Sequence, residues 1–398
     1  MPADLCDVLP FTGYAGVHFP TLFVFGLISS TLIDGYLVHR VLFHHAPGSG
    51  PPPLNLSRVI RAIMLLVVFL PLKALPLLTI GVGLFGLMSV VWYDLVLVLP
   101  YCALRALWRS RKGASVSLSV KALAVLALCA LPLCYYMRWV EPYDLRLEAV
   151  DIDLKPERSD GPPLRISVLA DLQTDQVGEY EQEAIDRLLA CRPDIILVPG
   201  DLFHGSTNLF EKKLEALRQL LSRLTAPGGV YFARGDVDPR HRVGPMLEGT
   251  GIIELENEIV RLEVRGRAVT LGGVDRDCDS AAARAVIQRL QDEPGGDDIR
   301  ILMAHRPDVI RLLKGNSRID LTVSGHTHGG QVVLPGFGPL LTLSDLPRKV
   351  AAGGLHELNG NRLYLSRGVG QERGQAPRIR LLAPPEISLL TLKGGLED

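Results

Sequence analysis

The sequence predicts an N-terminal α-helical membrane region of about four spans, residues 1–140, followed by an α/β domain, residues 141–398. Three observations carry this. Apolar runs of bilayer length crowd the first third, charge divides unequally between the two parts, and from about residue 141 short strand-like runs alternate with helical ones. Residues 1–140 hold ten Arg or Lys against four acids and the remainder holds 32 against 39, so the overall charge of −1 conceals a basic part and an acidic one. A chain of 398 residues exceeds one ordinary domain. Nothing in the charge pattern suggests a nucleic-acid partner, and the six cysteines lack the spacing of a disulfide framework.

The apolar runs fall at about 18–38, 62–80, 82–100 and 119–137, each near the roughly 20 residues that cross a bilayer. The turn between the second and third lies at Gly81-Val82-Gly83 or nearer Pro71–Pro76. Segment 40–61 carries Arg40, Arg58 and Arg61 without an acid. Segment 101–121 carries Arg105, Arg109, Arg111, Lys112 and Lys121, again without one, whereas the N-terminal tail has Asp4 and Asp7 and no base. The positive-inside rule then makes the two basic segments cytoplasmic and turns the soluble domain outward. The start lacks the basic residues of a cleaved signal peptide. Asp34, Lys73 and Asp94 stand within apolar runs, where they pair, reach an interface or serve an intramembrane role.

In the second part, alternation in LRLEAVDIDL (145–154) marks a half-buried strand, and LRISVLAD follows a polar loop. DIILVPGD, VYFARGDVD, ILMAHRPD and IDLTVSGHTH each come after a helical stretch, which means an α/β domain with strand ends converging on one edge. Between them IIELENEIVRLEVRGRAVTLGGVD reads as a hairpin group, so the sheets are mixed. Five successive strands finish in a carboxylate or imidazole: Asp171 with Gln173 nearby, Asp201, Asp236 with Asp238, His305, and the pair His326 and His328. One such residue is often only a helix cap. Five gathered on one edge repel unless cations neutralise them.

This ordered series resembles the signature of calcineurin-like metallophosphoesterases, and more closely their membrane-anchored bacterial branch. The resemblance covers about residues 145–395 and includes the ending SRGVGQERGQAPRIRLLAPPEISLLTL, similar to that branch's last strands. It implies a β-sandwich flanked by helices and a two-metal centre at the sheet edge, in a bacterial cytoplasmic membrane protein whose soluble domain is extracytoplasmic. It further implies that Asp171, Asp201 and His328 hold the first ion, that Asp201 bridges to the second, and that Asp236, His305 and His326 complete the set. A hydroxide bridging the metals would attack phosphorus. Arg234 or Arg306 would grip a phosphate oxygen or form a surface ion pair.

Two positions depart from the family pattern. Gln173 stands where the family has His, and Asp236-Val237 where it has Asn-His. Oxygen donors in place of nitrogen favour Mn²⁺ or Mg²⁺ over Zn²⁺, with Fe²⁺ also open. Valine cannot protonate a leaving group, so the substrate needs little protonation or another residue supplies the proton. Asp238, His204 and His241 are the candidate catalytic groups. The expected function is hydrolysis of a phosphodiester, phosphomonoester or pyrophosphate, on a phospholipid or lipid-linked substrate. The alternatives are a non-catalytic metal- or phosphate-binding receptor or scaffold, which Val237 favours, and a transporter with an accessory domain.

Overall fold

A computed structural model of the chain describes residues 18–44, 52–79, 83–158, 160–294 and 296–394. The chain divides into two units: Met1–Tyr136 with Arg373–Pro377, and Met137–Glu372 with Arg378–Asp398. The first is helical. It contains α1 (His18–Phe43), α2 (Leu56–Thr79), α3 (Leu84–Tyr93), α4 (Leu99–Arg111), α5 (Leu118–Cys129) and the start of α6 (Leu131–Trp139). A π-helical turn at Asp94–Val98 joins α3 to α4, so the third helix runs on past the expected residue 100. Its wider winding lies just before Pro100, where an α-helix would otherwise lose a hydrogen bond and meet the proline ring. Because α2 continues through Pro71 and Pro76 to Thr79, the break before α3 does not fall at those prolines. Gly81 and Val82, like Asp4 and Asp7, lie outside the described residues.

Four helical stretches therefore cover the four expected runs. Among the described residues, two of them, Leu84–Arg111 and Leu118–Tyr143, are long and apolar enough to cross a membrane by length and composition. The loops that follow α1 and α4 meet: Leu54 N–H donates to Ser115 O (2.9 Å) and Ser117 N–H to Leu54 O (2.9 Å).

The second unit is a mixed α/β sandwich, built from runs such as IILV and IRILM that are buried on both faces. Its elements are β1 (Arg146–Leu154), β2 (Leu164–Val168), α7 (Glu179–Ala190), β3 (Ile195–Val198), α8 (Thr207–Leu221), β4 (Val230–Phe232), α9 (Arg240–Leu247), β5 (Ile253–Glu254), β6 (Glu258–Val264) and β7 (Arg267–Gly273). There follow α10 (Ala281–Asp292), β8 (Ile299–Met303), β9 (Leu321–Ser324), β10 (Val333–Leu334), β11 (Gly338–Pro339), α11 (Arg348–Ala351), β12 (Gly354–Leu358), β13 (Asn361–Leu365) and β14 (Glu386–Gly394).

One six-stranded sheet runs β1-β14-β2-β3-β4-β5 and the other β12-β13-β9-β8-β7-β6. The strands that precede the candidate residues, β2, β3 and β4 in the first sheet and β8 and β9 in the second, pair in parallel within each sheet. The period of two decides the layers. Ile195 and Leu197 face inward with Ile166, Ile301 and Val323, whereas Ile196 and Val198 join Leu188, Leu217 and Phe232 under α7 and α8. Leu302 lies with Val286 and Leu290 of α10 on the far side. Helices thus cover both outer faces. The expected hairpin forms between β6 and β7, turning on Arg265 and Gly266, both at positive φ (54° and 75°) as a tight two-residue turn requires. The expected last strands reduce to β14: residues 366–385 form no strand, since Pro377, Pro384 and Pro385 cannot donate to a ladder.

Candidate metal centre

Each strand of the set ends just short of a polar side chain, and after β2, β3 and β9 the turn that follows is backbone under strain. Asp171 (φ 47°), Gln173 (39°), Asp201 (57°), His326 (77°) and His328 (50°) all occupy the left-handed region. That conformation costs a non-glycine residue about 1–3 kcal/mol and gathers where function needs it. Glycines make room beside it: a Cβ on Gly235 would strike the Asp201 carboxylate, and one on Gly325 the Asp171 carboxylate.

Ligand atoms converge in two groups, Asp171, Asp201 and His305, and Asp236, His305 and His326, each with all its atoms within 4.8 Å of one another. His305 Nε2 lies 3.4 Å from Asp201 Oδ2 and 3.5 Å from Asp236 Oδ2, and His326 Nδ1 lies 3.0 Å from Asp236 Oδ2. Backbone carbonyls orient both rings. Nδ1–H of His305 donates to Pro199 O (2.8 Å) and Nε2–H of His326 to Leu343 O (2.9 Å), which leaves the opposite nitrogen of each ring bare and aimed at carboxylates. Two backbone N–H groups hold the neighbours: His326 N–H donates to both Asp171 oxygens (3.0 and 2.9 Å) and Val237 N–H to Asp201 Oδ1 (2.9 Å).

A bare imidazole nitrogen pointed at carboxylates needs a cation between them. In a cation-free chain a proton takes that place: burial opposes charge on His305, but Asp201, Asp236 and Asp171 outweigh it and push its pKa up to about 10. His328 differs. Its ring is fully enclosed, neither nitrogen has a hydrogen-bond partner, and burial, reinforced by Arg380, holds its pKa well below the usual value. His328 belongs to neither ligand group, but a neutral, buried imidazole without a hydrogen-bond partner calls for one, and a metal ion would supply it. The donor set of carboxylates and neutral imidazoles therefore fits divalent ions.

The pH dependence follows with a definite sign. His305, raised from 6.5 to about 10, lends the cation-free chain stability that is complete below pH 6.5 and lost as pH rises through 10. Asp171 and Asp201, raised by burial, act in the same direction. The melting temperature of the chelated protein should fall by about a few degrees between neutral and alkaline pH, and added divalent ions should restore it. Thermal unfolding followed by circular dichroism checks both.

Of the seven expected ligands the two groups unite five: Asp171, Asp201, Asp236, His305 and His326. Here His305 stands between the groups, where the resemblance gave that place to Asp201. Gln173 Nε2 donates to Asp201 Oδ2 (3.3 Å) and to Glu372 Oε2 (3.4 Å), while its carbonyl oxygen is buried without a partner. Asp238, expected among the catalytic candidates, belongs to neither ligand group. Its carboxylate accepts from the backbone N–H of Asp201 (2.6 Å), Leu202 (3.0 Å) and Gly235 (3.1 Å), so it ties the β3 loop to the β4 loop. His241 is exposed near the start of α9 and belongs to neither group. His204 sits on the rim, its Nδ1 3.7 Å from Glu372 Oε1. Arg234 is committed to buried Asp275 through two hydrogen bonds (2.7 and 2.8 Å), whereas Arg306 forks onto Asp236 (3.2 and 2.7 Å).

Sequence reasoning missed Glu372 and Arg380. Arg380 is buried and donates to the carbonyls of His328 (3.3 Å), Ala383 (2.6 Å) and Arg367 (2.9 Å), bracing the floor beneath the His328 turn. Both residues lie in 366–385, which has no periodic pattern to flag them.

The calcineurin-like phosphoesterase family profile matches residues 164–330, the span that holds every residue of both groups. The metallophosphoesterase YkoQ of Bacillus subtilis is 28% identical over 62% of this chain and 89% of its own length. A metallophosphoesterase of Aquifex aeolicus is 29% identical over 64% of this chain and 94% of its own, and phosphodiesterase YaeI of Escherichia coli is 29% identical over 65% and 92%. With its mixed-sheet sandwich and its strand-end carboxylates and imidazoles, the chain carries a calcineurin-like metallophosphoesterase domain.

Proposed function

We propose that this chain is a membrane-anchored, metal-dependent phosphoester hydrolase that acts on a phosphodiester, phosphomonoester or pyrophosphate. The observation that carries this is the pair of ligand groups meeting at His305, with the tautomers of His305 and His326 fixed by carbonyls and His328 left neutral and unbonded. Asp171, Asp201, Asp236, His305, His326 and His328 would hold two divalent ions, with Mn²⁺ or Mg²⁺ favoured by the carboxylate-rich set. When bound, such ions act as Lewis acids on phosphoryl oxygens and make water acidic enough to attack at neutral pH. Arg306, held beside the centre by Asp236, would take a phosphate oxygen.

Membrane anchoring is supported by the two bilayer-length apolar helices and by exposed side chains such as Phe25, Leu32, Leu97 and Leu126 on the helical unit. The meeting of the loops after α1 and α4 puts the two Arg-rich segments at one end of that unit, as a single cytoplasmic side requires. The outward-facing domain and the bacterial cytoplasmic membrane belong to the same proposal.

The full chain in detergent, stripped by chelation and then given Mn²⁺, Mg²⁺, Zn²⁺ or Fe²⁺, should turn over an activated aryl phosphodiester with at least one of them. Val237 favours a second reading, a receptor or scaffold that binds metal or phosphate without chemistry. Bound metal with no turnover under any of the four ions would select it.

A further inference from the structure

Residues 332–343, VVLPGFGPLLTL, directly follow the two-histidine turn and carry a load of exposed apolar surface that a soluble loop does not need. Leu334 is 38% exposed, Phe337 55%, Leu340 46% and Leu343 44%. Isolated exposed leucines are ordinary, but four large apolar side chains within ten residues are not.

The loop is also rigid. Leu334-Pro335-Gly336-Phe337 forms a turn closed by Phe337 N–H donating to Leu334 O (3.1 Å), with proline at its second position and Gly336 at φ 78°, the requirements of a type II turn. β10 and β11 pair below it, Val333 with Pro339 and Leu334 with Gly338. Proline and the ladder fix the tip, so its apolar corners are held outward at little entropic cost.

Two further features select the occupant. The Arg348 guanidinium lies over the Phe337 ring (4.5 Å to the centroid), and exposed Lys349 follows it on α11. Aromatic and leucine side chains rimmed by Arg and Lys match the boundary between acyl chains and anionic headgroups, where cations snorkel and apolar tips are buried. The element is also continuous with the metal centre, because Leu343 O accepts the His326 hydrogen bond.

We propose that this hairpin inserts its Leu334–Phe337 tip into the interfacial layer of a bilayer beside the metal centre. The substrate is accordingly a phosphoester whose apolar part stays in that layer. The substrate statement rests on the phosphoesterase reading; the insertion does not.

The test uses the full chain reconstituted in phosphatidylcholine vesicles with and without phosphatidylglycerol. In Phe337→Trp, the emission gained over the native protein should be quenched by brominated acyl chains, more strongly with the anionic lipid, and shielded from aqueous iodide. In the double variant Leu334→Ser/Phe337→Ser, turnover of a phosphatidic acid dispersed in the vesicles should fall roughly tenfold or more, while turnover of the soluble aryl phosphodiester stays within about twofold. Iodide quenching without lipid quenching overturns the insertion and leaves a protein partner as the tip's occupant. Equal effects on the two substrates overturn the substrate assignment. Absence of turnover on both would sink the phosphoesterase reading instead, with the quenching result still deciding the insertion.

Discussion

Asp201→Ala should lower kcat/KM on an activated aryl phosphodiester by about 10³-fold or more, the loss of several kcal/mol of charge stabilisation. Asp201 is buried and engaged through both of its oxygens. It accepts from Val237 N–H and from Gln173 Nε2, and its Oδ2 faces the bare Nε2 of His305. Alanine removes a ligand and also strands the Val237 N–H. Asp201→Asn keeps an oxygen for that N–H and loses only the negative charge, so it separates chemistry from folding. Both variants should lose activity, and the asparagine variant should keep the native melting temperature of the chelated protein or exceed it, because a buried carboxylate among Asp171, Asp236 and Asp238 is relieved. Retention of more than a tenth of native activity by the asparagine variant would remove Asp201 from the centre.

The second large effect is a gain. Val237→His should raise turnover of an alkyl phosphodiester by about 10²–10⁴-fold, the usual range for a positioned general acid. An activated aryl diester should change little, since its leaving group departs without a proton. The backbone of residue 237 is already anchored to Asp201 Oδ1, and its side chain is only half-buried at the rim, so an imidazole there can meet both substrate and solvent. The ratio of rates on the two substrates is the readout. A rise of equal size on both would mean that the histidine acts on binding, and no rise on either would mean that another group already supplies the proton.

Legibility in the sequence followed the range of the interactions involved. The α/β character could be foreseen because runs such as Ile195–Val198 and Ile299–Met303 bury both faces between helices, whereas the division into a sandwich came from the family resemblance. Candidate ligands stood out because each follows its strand by a residue or a few, a local relation. What the sequence could not show is which atoms point where. Asp238 sits two residues from Asp236 and reads identically, yet its oxygens are taken by three backbone N–H groups. Glu372 and Arg380 reach the centre from a stretch with neither helical nor strand period, by contacts spanning up to 199 residues. The third helix ran past its expected end because a π-turn before Pro100 takes up the strain that a proline signals.

Counting bound ions tests the proposed two-metal centre most directly. The full chain, chelated and then dialysed against Mn²⁺, would be assayed for metal by mass spectrometry beside His328→Ala and His305→Ala. Two ions per native chain, about one in His328→Ala and fewer still in His305→Ala, where both groups lose a ligand, is the expected result. Fewer than one ion in the native chain, or counts unchanged in both variants, would contradict it.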